Sequence, residues 1–180
     1  MNNDFANGQE GVAPWKNLPE VVGESGTATT RHGRKLTVWR PADSVKSEAH
    51  RYWCHGHSFG TYKDFGFSPF SGPDVETLLS DEWQRIDKKP AVGDVLVFRA
   101  SAAGEGHEEG AILHTARIET ATYFFGGRTV IALSSKNGSN RLLSSVSPES
   151  VLRTYSNCYW FKTTGDGNTR ISKQYYRRLP

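Results

Sequence analysis

Residues 90–98 read Pro-Ala-Val-Gly-Asp-Val-Leu-Val-Phe, a turn followed at once by four apolar residues. Proline and glycine are typical of turns, and the short apolar run Val95–Phe98 predicts a strand that is buried on both faces. Two more segments with the composition of strands follow at Ile112–Glu119 and Thr129–Ser134, with a hairpin-like turn at Gly126-Gly127 between them. This stretch therefore predicts an antiparallel sheet in the middle of the chain.

The segments around this sheet predict several short helices and two further strands. Pro73, followed by an acidic turn and by apolar residues at helical spacing, predicts the start of a helix. Residues 1–30 are rich in Asn, Gly, Glu and Thr, and we expect them to be irregular. The remaining predicted elements are short helices at Ser44–Trp53, Cys54–Tyr62 and Ser147–Arg153, strands at Arg34–Arg40 and Cys158–Phe161, and a turn at Asn137-Gly138.

This order of elements is an α+β pattern, with N-terminal helices packed on an antiparallel β-sheet. A chain of 180 residues is long enough for one substantial hydrophobic core. We therefore expect residues 1–45 to be an N-terminal arm or subdomain and residues 46–180 to be the main domain. No apolar run approaches the roughly 20 residues that a membrane-spanning helix needs, so we expect no membrane span.

Charge is unevenly distributed, although the net charge is only +3. Residues 51–120 carry 11 acidic and 7 basic side chains, whereas residues 121–180 carry 2 acidic and 9 basic ones. The basic C-terminal third could bind an anionic partner, or it could be an ordinary solvated surface. The chain lacks the ordered aromatic and basic motifs of nucleic-acid-binding modules, so we expect no nucleic-acid partner.

The N-terminal residues have neither a basic start nor an apolar core of the kind found in Sec signal peptides. We therefore expect a protein that is cytoplasmic or exported by a specialised secretion system. Only two cysteines are present, Cys54 and Cys158, which excludes a scaffold built from several disulfides.

Cys54 lies in the segment Tyr52-Trp-Cys-His-Gly-His-Ser, and a cysteine beside histidines has three interpretations. It is a nucleophile if an imidazole that is near in space lowers the pKa of its thiol, and His114 on a predicted strand is the best distant base. It is a zinc ligand if His55 and His57 bind the same ion, but the chain has no second half-site with zinc-ligand spacing. It is otherwise a structural thiol buried under aromatic side chains.

The order of these motifs resembles the NlpC/P60 and CHAP group of papain-like cysteine peptidases, in a divergent branch of that group. The resemblance covers roughly residues 50–138. It rests on Cys54 with Gly56 and Phe59, on Gly93-Asp94 before the strand to Phe98, on His114-Thr-Ala, and on Ser-Ser-Lys-Asn-Gly at 134–138.

The resemblance implies a papain-like catalytic domain over residues 46–180, with Cys54 as the nucleophile and His114 as the general base. A third polar residue would orient the imidazole, and Ser135 and Asn137 both fall near that place. Because side chains alternate along a strand, these two residues would share a face.

The resemblance also implies substrate-binding positions near the nucleophile, which fall on Tyr52, Trp53, His57 and Lys136. Tyr52 or His57 would add a donor to the backbone N–H groups that stabilise an oxyanion. Trp53 stands where the group usually has an aspartate. We expect neither a metal nor a cofactor.

The implied reaction is hydrolysis of an amide bond through an acyl-thioester, with the stem peptide of peptidoglycan, or another peptide, as substrate. Such enzymes can be secreted antibacterial effectors, for which an immunity protein is the expected partner. The alternatives are a protease or deamidase that acts on host proteins, an enzyme of muropeptide recycling, and a non-catalytic binding domain that uses the basic C-terminal face.

Overall fold

The computed structural model describes residues 2–4, 10–12, 22–45, 51–69, 71–103, 108–124, 129–136, 141–155 and 171–180. These residues form an α+β fold of antiparallel sheets with few helices. In chain order the elements are β1 (Asn2–Asp4), β2 (Glu10–Val12), β3 (Val22–Thr29), β4 (Lys35–Pro41), α1 (Cys54–Ser58), α2 (Thr61–Phe65), β5 (Ser68–Pro69), α3 (Gly72–Glu82), β6 (Trp83–Ile86), β7 (Val95–Ala100), β8 (Ile112–Tyr123), β9 (Thr129–Lys136), β10 (Leu142–Val146), α4 (Pro148–Tyr155) and β11 (Ile171–Arg178).

The larger sheet has the strand order β10-β9-β8-β7-β11-β6, and all neighbouring strands run antiparallel. Strands β7, β8 and β9 confirm the predicted strands, because each begins at the predicted residue and extends two to four residues further. Every residue of β7 is buried, since it lies between β8 and β11 and both of its faces are covered. The predicted strand Cys158–Phe161 and the turns at Gly126-Gly127 and Asn137-Gly138 lie outside the described residues.

The prediction of N-terminal helices packed on the sheet is wrong, because the N-terminal part of the described chain forms a second antiparallel sheet. Strand β4 confirms the strand predicted at Arg34–Arg40, one residue later, and it pairs with β3 along its whole length. Strand β3 was not expected, since its glycines and small polar residues resemble a loop. The composition of β3 does not favour a strand. It forms one because its backbone pairs with β4.

The smaller sheet also includes a strand from well beyond residue 45. Strand β5 pairs with β4, and β1 and β2 both pair with β3. Residues 46–50 lie outside the described chain, and the described residues on either side of them are not helical, so no helix is described in the predicted segment Ser44–Trp53.

Helix α3 confirms the helix predicted at Pro73, and its start has a clear local cause. Ser71 and Asp74 form a capping box, in which each side chain accepts a hydrogen bond from the other residue's backbone N–H. The helix predicted over Cys54–Tyr62 is divided into α1 and α2 at Gly60, which has a φ of +71°. This left-handed conformation suits glycine and ends α1 after a single turn.

Two hydrophobic clusters cover the two faces of the larger sheet. The first lies between the smaller sheet, α3 and β7, and includes Leu36, Phe67, Leu78 and Val97. The second lies on the opposite face of β7, β8 and β9 and includes Val151 of α4. Alternate residues of β7 enter different clusters, as the period of a strand requires. The larger sheet is therefore a rigid layer between the two parts of the core.

Candidate active site

Helix α1 is fixed between the two sheets at a position where the chain has glycine. A Cβ atom on Gly56 would lie 2.0 Å from the Ser68 Oγ of β5, so only a hydrogen fits there. The same helix contacts β8 and β9 of the larger sheet. Cys54, the first residue of α1, is thereby held beside the two strands that carry the predicted base and the predicted third residue.

Strands β8 and β9 separate from each other beside this helix. Among the described residues, their ladder begins at the pair Arg117–Ser134, although β8 starts at Ile112 and β9 extends to Lys136. His114 and Ser135 lie in the part where the two strands are not paired with each other. Each of them pairs with the strand on its other side, His114 with Phe98 of β7 and Ser135 with Leu143 of β10.

Cys54 is a free thiol that is partly exposed. Its Sγ lies 3.6 Å from the Nδ1 of His55. Burial raises the pKa of the Cys54 thiol, but the charges of His55 and His114 and their hydrogen bonds to the sulfur outweigh it, and the pKa falls well below the usual value. The thiolate is the nucleophilic form of cysteine, so this environment favours the reactive form.

His114 connects the thiol to β9. Its Nε2 lies 2.9 Å from the Ser135 Oγ, and both residues are buried. His114 also acts on the Cys54 thiol, through its charge and through a hydrogen bond. The ring also lies against Phe98, with 5.8 Å between the ring centroids. Ser135 is thus the described residue that can orient the imidazole, whereas Asn137 lies outside the described residues.

A second histidine–serine pair lies next to the first. The Nε2 of His57 is 2.8 Å from the Ser134 Oγ. Burial, followed by the positive charge of Arg117, lowers the pKa of His57 to about 4. His57 is therefore a neutral imidazole at pH 7, and its predicted role in substrate binding stays a prediction.

Tyr52 and Lys136, both predicted to bind substrate, lie in the interior of the site. Lys136 is fully buried, with its Nζ 5.2 Å from the centroid of the Tyr52 ring, which is a cation–π arrangement. Burial lowers the pKa of Lys136 to about 8, against the charge of Cys54, which raises it. Tyr52 also stacks on Tyr62, at 4.6 Å between ring centroids.

Trp53, the residue before the candidate nucleophile, packs on the smaller sheet. Its ring stacks on the ring of Trp39 of β4, with 4.7 Å between centroids and 16° between planes. Trp39 is itself buried. Trp53 therefore joins the loop before α1 to the smaller sheet, and it is partly exposed beside Cys54.

Three contacts of this site were missed by the sequence interpretation. His55 was considered only as a zinc ligand, yet its Nδ1 contacts the sulfur and lies 3.0 Å from the Thr115 Oγ1. Thr115 and Ser134 fall within the motifs His114-Thr-Ala and residues 134–138, but neither was assigned a role in the site. His55 and Thr115 are 60 residues apart, so no local pattern could connect them. The one available signal was the position of Thr115 directly after His114.

The alternative interpretations can be compared with the same described residues. They contain no group of three or more His, Cys, Asp or Glu side chains placed to hold a metal ion. In the basic C-terminal third, three cations of the described chain form ion pairs, namely Lys173 with Glu149, Arg177 with Asp94 and Arg178 with Asp64. No helix in the described part of the chain is long and apolar enough to cross a membrane.

Comparison with known proteins identifies no family for this chain. The chain matches no protein-family model, no curated protein and no solved structure. The interpretation of the site therefore depends on its own residues.

Proposed function

We propose that this protein is a cysteine peptidase or amidase that hydrolyses an amide bond with Cys54 as nucleophile and His114 as general base. The observation that carries the proposal is the connected set formed by the Cys54 thiol, the His114 imidazole and the Ser135 hydroxyl. A partly exposed cysteine with a strongly lowered pKa, beside a histidine oriented by a third residue, is the arrangement that thiol hydrolases need.

The first half of the proposed reaction is acylation. The Cys54 thiolate attacks the amide carbonyl, and the new C–S bond leaves negative charge on the carbonyl oxygen. His114, as the imidazolium, donates its proton to the leaving nitrogen while the C–N bond breaks. The products are a free amine and a thioester on Cys54.

The second half is hydrolysis of the thioester. His114 takes a proton from water, the water oxygen bonds to the acyl carbon, and the C–S bond breaks to release a carboxylic acid and regenerate the thiolate. In the proposed mechanism the Ser135 Oγ, 2.9 Å from Nε2 of His114, accepts a hydrogen bond from Nε2–H, and the other ring nitrogen exchanges the proton in each step.

We place the protein, as part of the same proposal, with the papain-like NlpC/P60 and CHAP peptidases. The support is the order of elements: a helix that begins with Cys54, then a strand preceded by Gly93-Asp94, then His114 on the next strand and Ser135 on the one after it. Trp53 in place of the usual aspartate, and serine as the third residue, mark the branch as divergent.

Peptidoglycan stem peptides are the substrates that this grouping favours. The experiment is digestion of purified peptidoglycan by the wild type, Cys54→Ala and the matched control Cys158→Ala, with the products identified by mass. We expect the wild type and Cys158→Ala to release the same peptides. Cys54→Ala should lose activity by a factor of about 10³ or more, because it lacks the nucleophile.

Cleavage by Cys54→Ala at the rate of the wild type would contradict the proposal. Binding to peptidoglycan without cleavage by any of the three proteins would instead support a non-catalytic binding domain. If the protein cleaves or deamidates only protein substrates, and does so only when Cys54 is present, the result would indicate a host protein rather than peptidoglycan as the substrate.

The proposal extends to delivery outside the cytoplasm, because a cell-wall hydrolase meets its substrate only there. An antibacterial effector with a cognate immunity protein satisfies this requirement. The test is expression in a bacterium with and without an added export signal. We expect lysis only with the export signal, and we expect Cys54→Ala to abolish it. Lysis that does not depend on export would contradict this part of the proposal.

A further inference from the structure

The Cys54 sulfur contacts a second imidazole that the hydrolysis steps above do not use. His55 follows the nucleophile directly, and its Nδ1 lies 3.6 Å from the sulfur, within the range of a hydrogen bond to sulfur. The same Nδ1 lies 3.0 Å from the Thr115 Oγ1 on β8. His55 is thus held by the strand that also carries His114.

The geometry favours a hydrogen on the Nδ1 of His55. If Nδ1 carries the hydrogen, the thiolate and the Thr115 oxygen can share it in a three-centre bond. If Nδ1 lacks it, the nitrogen has one lone pair in the ring plane for two neighbouring groups, and a thiolate has no proton to donate to it. A deprotonated sulfur at this place is therefore stabilised when His55 acts as the donor.

We propose that Cys54 is a thiolate held between two imidazoles, with His114 carrying the proton and His55, oriented by Thr115, acting as a second hydrogen-bond donor to the sulfur. The inference rests on the proposed function in its assumption that the thiolate is the nucleophile. It adds a second group that stabilises the same charge.

The charges that surround the sulfur agree with this arrangement. His55 and His57 lie on α1, His114 on β8 and Lys136 on β9, and each of them interacts electrostatically with Cys54. Burial lowers the pKa of His55, but the thiolate raises it above the ordinary value overall. His57 is neutral at pH 7, whereas Lys136, with a pKa of about 8, is mostly protonated and the pKa of His55 is raised, so His55 and Lys136 bring positive charge near the sulfur.

A fixed second donor has a specific use in the hydrolysis of the thioester. When the C–S bond breaks, the electron pair of that bond returns to sulfur while His114 is protonated by the attacking water. His55 donates to the departing thiolate without taking part in that proton transfer. His55 should therefore assist the second half of the reaction, in which sulfur is the leaving group.

The test is the rate of Cys54 alkylation by iodoacetamide from pH 4 to pH 10, with peptide mass spectrometry to separate Cys54 from Cys158. This reaction needs no substrate. We expect the wild-type midpoint to lie well below the ordinary cysteine value of about 8.5. His55→Gln should raise it by about 1–3 units, as the loss of a neighbouring positive charge does. Thr115→Val should raise it less, since His55 remains.

The matched control is His32→Gln, which removes a histidine whose ion-pair partner is Asp81 on α3. Its alkylation midpoint should equal that of the wild type. A His55→Gln midpoint equal to the wild type, with His114→Gln alone raising it, would overturn the inference. Thermal unfolding of each variant establishes that it is folded.

A second measurement applies if His55→Gln does not fold. The pKa of His55 is followed by NMR in the wild type and in Cys54→Ser, which lacks the negative charge. We expect the pKa of His55 to fall in Cys54→Ser, and an unchanged pKa would contradict the inference. If the wild type does not digest peptidoglycan but its Cys54 still has a lowered alkylation midpoint, the result counts against peptidoglycan as the substrate and not against the second donor. The two proposals can therefore fail separately.

Discussion

His114 with Ser135 and His57 with Ser134 form two histidine–serine pairs whose serines are adjacent on β9. The bonds are alike, at 2.9 Å and 2.8 Å from Nε2 to the serine oxygen. Their surroundings differ, because His114 forms a hydrogen bond with the Cys54 thiol, whereas burial, followed by the positive charge of Arg117, lowers the pKa of His57. The comparison teaches that the bond to serine orients a ring, and that the group facing the ring decides its chemistry.

The sharpest way to break this comparison is to remove each imidazole in turn. His114→Gln should lower kcat/KM for amide hydrolysis by a factor of about 10²–10⁴, the usual contribution of a general base. His57→Gln should lower it by no more than about 10-fold, because His57 has no proton-transfer role in the proposed reaction. Initial rates with one peptide substrate check both variants, and equal losses would contradict the distinction between the two pairs.

The pH dependence of stability isolates the His57 pair. The pKa of His57 is about 4 in the folded protein and about 6.5 in the unfolded chain, so the unfolded state binds the proton more readily between these values. Stability should therefore be lost as the pH falls from 6.5 toward 4, by up to about 3 kcal/mol. Urea unfolding of the wild type and His57→Gln at pH 7 and pH 4.5 measures this loss.

The outcome of that experiment is read as a difference between the two proteins, since other groups titrate in both. His57→Gln should lose less stability than the wild type on acidification. An equal loss in both would show that the lowered pKa of His57 does not contribute.

Removing the two serine hydroxyls gives the smallest expected effects. Ser135→Ala should lower kcat by about 5- to 10-fold, because one hydrogen bond contributes about 1 kcal/mol to holding the base. Ser134→Ala should change kcat by less than about 3-fold and lower the free energy of unfolding by about 1 kcal/mol. Steady-state rates and urea unfolding compare the variants, and the reverse order of kcat losses would assign the orienting role to Ser134.

Much of the larger sheet was predictable because its strands carry their own signal. The apolar run before Phe98 and the segments that start at Ile112 and Thr129 each predicted a strand at the correct first residue. Strands β6, β10 and β11 were missed. Strand β10, for example, is exposed over four of its five residues and therefore lacks the alternation that burial on one face imposes.

The candidate site was likewise predictable only in part. Cys54 and His114 were identifiable because each lies in a short motif, and the order of those motifs along the chain indicates a fold. Ser135 and Asn137 could not be separated, because alternation assigns both to one face of a strand. The contact between Ser135 and His114 depends on the register between β8 and β9, which no local sequence pattern encodes.

The sequence by itself determined the α+β class, the position of the central strands and the start of α3 near Pro73, and it pointed to the two residues that we propose as nucleophile and base. These features depend on local periodicity and on chemistry carried by single residue types. Only the tertiary structure decided the second sheet, the burial of Lys136 and the contact of His55 with both the sulfur and Thr115. Pairing across 60 residues is set by how the sheets pack, so the environment that lowers the pKa of Cys54 exists only in the folded chain.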